Sequence, residues 1–84
     1  MQKPSLARSV IALVDPAGNN GADVCPAVIT RVWGECANGS WTINLKTIKD
    51  GNVDEWLTSR SLFETEAQAR ESGAHGACFW PPRV

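Results

Sequence analysis

Three stretches decide the fold: Ala27-Val28-Ile29-Thr30-Arg31-Val32-Trp33, the loop around Asn38-Gly39, and Trp41-Thr42-Ile43-Asn44-Leu45-Lys46-Thr47-Ile48. The first run is β-branched at most positions, and such side chains fit a pleated, half-buried surface better than a helix. In the second run Trp41, Ile43 and Leu45 share one phase, while Thr42, Asn44 and Lys46 share the other. That period of two calls for one buried and one wet face. Asn-Gly tolerates the positive φ of a type I′ turn, so an antiparallel hairpin turning at Asn38-Gly39 is expected. Asn38-Gly39-Ser40 also has the form of a glycosylation acceptor, but its reading here is the turn.

Outward from the hairpin, Leu6 to Val14 reads as a first strand closed by Asp15-Pro16. Residues 16–21, Pro-Ala-Gly-Asn-Asn-Gly, are dense in turn formers and should be an exposed loop. Lys49-Asp50-Gly51-Asn52 supplies the next turn. Glu55 to Phe63 then forms a fourth strand, with Trp56 and Leu62 on one phase and Leu57 and Phe63 on the other. At Thr65 the pattern changes: Thr65-Glu66-Ala67-Gln68 has the form of a capping box, and a short helix over about 65–72 ends at Gly73. The tail Cys78-Phe79-Trp80-Pro81-Pro82 is too aromatic for a free end, so Phe79 and Trp80 should dock while the prolines stop further pairing. The expected fold is mainly β: a small SH3-like, partly open barrel. The competing arrangements are a highly twisted antiparallel sheet of four to five strands, or a three-stranded sheet covered by the helix.

The whole of 1–84 reads as one small domain, since the chain's 84 residues leave no room for two cores. A hydrophobic fraction of 43% and a charged fraction of 20% are globular values. A formal charge of −1 argues against general nucleic-acid or anionic-membrane binding, which needs a basic surface. With no apolar run of membrane-spanning length and no signal-peptide core, the expected location is the cytoplasm.

Three cysteines, Cys25, Cys36 and Cys78, cannot all pair, and without a secretion signal they read as free thiols. A zinc set built from these with His75 lacks the two close-spaced pairs of structural sites, so no metal is expected. A Cys36 or Cys78 nucleophile with His75 as base lacks an activating cation and an orienting third group. Residues 18–21, Gly-Asn-Asn-Gly, lack the Lys-Ser/Thr of a phosphate loop. Asp54 and Glu55 are adjacent and would point to opposite faces of a strand, so they make no acid/base pair. Neither a catalytic set nor a cofactor site is read here, and the chain is expected not to be an enzyme.

Tryptophan with arginine is the most informative feature. There are four Trp and no Tyr. Arg31 and Trp33 share one phase of the second strand, and Trp56 and Arg60 share one phase of the fourth. A guanidinium beside an indole offers a stacking plane and a bidentate anion clamp, chemistry suited to a nucleotide or phosphate. Both pairs would serve if the two strands lined one concavity, most easily built between subunits of a homo-oligomer. The competing reading is that the rings fill the core while the arginines snorkel to the rim. Trp80, Pro81 and Pro82 are the alternative place for a protein partner to dock.

The stretch Gly21 to Val32, with Cys25-Pro26-Ala27-Val28-Ile29-Thr30 after a Gly/Asn loop, and the Trp80-Pro81 ending resemble small uncharacterised actinobacteriophage proteins. Those carry a Cys-x-Ala-x-Val/Ile-Thr strand and a Trp-Pro carboxyl end. They typically also show an Asn-Pro-x-Gly turn followed by paired Phe, where this chain has residues 46–51, Lys-Thr-Ile-Lys-Asp-Gly. The resemblance implies a small β protein of phage origin working in the host cytoplasm, and it carries over no catalytic residue. The leading expectation is a small binding protein that antagonises a bacterial defence system by docking on a host protein. One alternative is a sponge that sequesters an anionic signal, a cyclic nucleotide or an ADP-ribose-like molecule. The other is an inert structural or virion-associated module.

Overall fold

The computed structural model describes residues 3–82. Its centre is the expected hairpin: β2 (Val24–Glu35) runs antiparallel to β3 (Trp41–Thr47). Ile43 and Leu45 are fully buried, and Trp41 packs against the same core. The turn differs in type. Gly39 N–H donates to Cys36 O and Cys36 N–H to Ser40 O, and only Gly39 takes a positive φ, of 87°. This is a three-residue loop ending in a left-handed glycine, not a two-residue type I′ turn. Asn38 Oδ1 accepts from Ser40 N and Oγ instead, so it holds the loop through its side chain.

β1 (Ser9–Leu13) pairs with β2, and β4 (Trp56–Phe63) pairs with β3. After α1 (Glu66–Glu71), the two residues of β5 (Cys78–Phe79) lie antiparallel to β1 and parallel to β4. The sheet therefore closes in the order β1-β2-β3-β4-β5. The barrel expected from the sequence is present, but closed rather than partly open, because the tail supplies a pairing strand as well as aromatic packing. Pro81 and Pro82 follow at once and have no N–H to extend it.

Inside lie Val10, Ala12, Cys25, Ala27, Ile29, Ile43, Leu45, Leu62, Cys78 and Trp80. A second cluster, Ala69, Ala77 and Phe79 with Ile11, Leu13, Val24 and Phe63 against it, fills the space between α1 and the barrel wall. The capping box is made in both directions: Thr65 Oγ1 accepts from Gln68 N at 3.2 Å, and Gln68 Oε1 from Thr65 N at 3.1 Å.

The loop at 16–21 is less free than its composition implied. Asn19 is buried, donates to Ala22 O and Val24 O, and accepts from Asp50 N at 2.8 Å. The loop thus leans on the β3–β4 connection. Gly51 meets it so closely that a Cβ there would stand 2.9 Å from Gly18 O.

β4 breaks the expected alternation. Ile43 faces Arg60 and Leu45 faces Leu57, so Thr58 and Ser59 together oppose Asn44 as a bulge, with Ser59 at φ 55°. One extra residue flips the phase beyond it. Leu57 and Leu62, five apart, therefore both turn to the barrel core, and Trp56 turns out. β2 carries two similar irregularities, at Thr30 and at Trp33. Without the first, Arg31 would follow Ala27 and Ile29 into the interior.

Candidate functional site

The register gathers one face on the outside of β2, β3 and β4. Arg31 pairs with Asn44 and Lys46 with Trp56, all away from the core phase. Ile48 continues the phase of Lys46 just past β3. Among the described residues the exposed large hydrophobics are Leu6, Trp33, Ile48, Val53 and Trp56. Three of these, Trp33 at 52%, Ile48 at 51% and Trp56 at 60% exposure, belong to this face. Isolated exposed apolar residues are ordinary, but several large ones on one face mark a docking surface.

Trp33 is not loosely displayed. The Arg31 guanidinium lies over its ring at 3.9 Å from the centroid. Its Nε1–H donates to Asn44 Oδ1 at 2.9 Å. The same oxygen accepts from Ser59 N at 2.8 Å and from Thr58 Oγ1 at 3.1 Å. Asn44, only 6% exposed, is thus a hub that holds the β4 bulge and the indole together. The place of Asn44 on the wet phase of β3 is legible in the sequence, but its bonds to β2 and β4 are not.

The four residues expected to form one anion pocket are divided. Arg31, Trp33 and Trp56 lie on the outer face. Arg60 has gone the other way because of the bulge: its backbone sits opposite Ile43, and its Nη1 donates to His75 O at 3.0 Å. Its guanidinium rests on Gly76, where a Cβ would stand 2.6 Å from Nη1, and its buried Nε has no acceptor among the described residues. It helps line a hollow of about 460 Å³ at the barrel mouth, with Leu13, Asp15, Lys49, Glu55, Leu57 and His75 around it. There the Lys49 ammonium is tied to Glu55, which raises its pKa. Trp56 and Arg60 therefore do not share a face, and the single concavity is not formed.

Trp80 is a core residue rather than a displayed one, 7% exposed, with Arg8 5.2 Å from its ring centroid. Its buried indole N–H has no acceptor among the described residues. Pro81 and Pro82 remain exposed and edge a shallow hollow with Ser9 and Thr65.

Cys25 and Cys78 are buried free thiols; Cys36 is exposed, its Sγ 3.2 Å from Thr42 Oγ1. Burial pushes the Cys25 thiol up and takes Cys78 to about 12, so neither supplies a thiolate near neutrality. Among the described residues no three His, Cys, Asp or Glu side chains are gathered as metal ligands. No helix there is long and apolar enough to cross a membrane. Compared with protein-family models, curated proteins and solved structures, the chain finds no match.

Proposed function

We propose that this chain is a small binding protein whose partner docks on the outer face of β2, β3 and β4, anchored on Trp33 and Trp56. The observation that carries this reading is the fixing of an exposed tryptophan. A ring half open to solvent is held by Arg31 on one face and by Asn44 at its N–H. Protein interfaces concentrate their energy in such Trp and Arg residues, and a ring already fixed loses little entropy on binding. A second consideration is the separation of Arg60 from the other three residues, which removes the geometry that a nucleotide sponge would have used.

The resemblance to actinobacteriophage proteins makes a host protein, such as a component of a bacterial defence system, the candidate partner. Of the residues carrying that resemblance, Cys25, Ala27, Ile29 and Trp80 are core residues, Val28 is half-buried, and Thr30 and Pro81 are exposed. What they would transfer is the barrel, while the outer face would be particular to this chain.

The test is capture from a bacterial host lysate by the tagged chain and its variants. One protein should be retained in stoichiometric amount and lost with Trp33→Ala or Trp56→Ala, since a central anchor contributes about 2 kcal/mol or more, roughly thirtyfold in affinity. Pro82→Ala should retain it. Loss with Pro82→Ala alone would move the site to the tail. Thermal stabilisation by cyclic dinucleotides, with no protein retained, would favour the sponge.

A further inference from the structure

The charge on the docking face is one-sided. Arg31 and Lys46 project from it, and the one acid in β2, β3 and β4, Glu35, pairs with Trp41 on the opposite phase. The acids of the neighbouring loop have other partners: Asp50 accepts from Asn20 Nδ2, Asp54 accepts from Lys49 N and Glu55 holds Lys49 Nζ. Among the described residues Arg31 and Lys46 are in no ion pair, so the face carries two such cations on a chain whose formal charge is −1. Resting on the reading of this face as the docking surface, we infer that its occupant is an acidic protein segment bearing apolar side chains. Carboxylates of that segment close on Arg31 and Lys46, while its apolar groups cover Trp33, Ile48 and Trp56.

Two other occupants fit less well. A second copy packed two-fold on this face would bring two surfaces of the same positive charge together, because such contacts use the same patch on both copies. A single-stranded nucleic acid would stack bases on open ring faces, but one plane of Trp33 is already taken by Arg31. An acidic peptide needs no open plane: a guanidinium stacked on a ring still offers its edge to a carboxylate.

The probes are an acidic peptide of repeating Glu-Phe-Asp units, its Lys-Phe-Arg counterpart, and a short oligothymidylate, each titrated into the ¹⁵N-labelled chain. The acidic peptide should move the Trp33 indole N–H and the amides of Arg31, Lys46 and Trp56. It should bind at least about tenfold tighter than the basic peptide, and the difference should vanish near 1 M salt, where the Debye length is about 3 Å. Arg31→Glu with Lys46→Glu should reverse the preference while leaving the spectrum of the fold unchanged. Equal response of this face to both peptides overturns the acidic partner but leaves the docking face. A response to oligothymidylate alone overturns it in favour of nucleic acid. No response of these residues to any probe overturns both.

Discussion

Asn44 Oδ1 lies 2.9 Å from Trp33 Nε1 and 2.8 Å from Ser59 N, so one amide oxygen joins an exposed ring on β2 to a strained bulge on β4. Removing it strands a backbone donor and frees the indole together. Asn44→Ala should cost about 0.5–1.5 kcal/mol in urea denaturation, the usual net contribution of a hydrogen bond whose donor can turn to water. It should also move the Trp33 indole resonance toward the free position. Unchanged stability with an unmoved resonance would show that the hub holds nothing.

Gly76 and Arg60 make a second dependent pair. Gly76 has φ 65° and leaves no room for a Cβ beneath the guanidinium. Gly76→Ala should add roughly 1–2 kcal/mol of left-handed strain and displace Arg60 from His75 O. In an Arg60→Met background only the strain should remain. A double-mutant cycle should therefore return a coupling of about 0.5 kcal/mol or more, and simple additivity would contradict the packing.

Trp80 separates packing from hydrogen bonding. Its indole N–H is buried with no acceptor among the described residues, so Trp80→Phe removes an unsatisfied donor while keeping most of the ring. Little change in stability is expected for Phe, against about 3–5 kcal/mol lost for Ala. A large loss with Phe would mean that the N–H has a partner in solution.

The thiols predict a pH dependence. Burial pushes the Cys78 thiol up to about 12 in the fold, against about 8.5 unfolded. The unfolded chain therefore loses a proton that the folded chain keeps. The stabilisation is complete below about pH 8.5 and declines as pH rises toward 12, by up to about 1.4 kcal/mol per unit for one thiol. No tyrosine titrates in this window, and from about pH 8.5 to 10 it lies below the ordinary lysine range. Cys78→Ala should reduce the decline and leave the part due to Cys25, which burial also raises. Iodoacetamide at pH 8 should label Cys36 alone in the native protein and all three thiols after unfolding.

Much of the barrel is legible in the residues themselves. The Trp41-Ile43-Leu45 phase, the glycine turn at Gly39 and the Thr65/Gln68 cap are local features, each set by chemistry within a few positions. The bulges are not local in that sense. A single extra residue at Thr58-Ser59 is stabilised by Asn44 from the neighbouring strand, and nothing in β4 alone reveals it. For this reason Trp56 and Arg60, four apart and in phase on paper, end on opposite faces. Closure by Cys78-Phe79 was hidden for a related reason. A two-residue strand has no period to read, and its pairing depends on β1 and β4 from distant parts of the chain.

Oxidative footprinting of the tryptophans, free and in the captured complex, bears most directly on the docking face. In the free chain Trp33 and Trp56 should react readily, while Trp80 is already shielded. On binding, Trp33 and Trp56 should both be strongly protected, with no change at Trp80. If both react at the free rate in a complex whose partner is fully bound, the outer face of β2, β3 and β4 is not the docking surface.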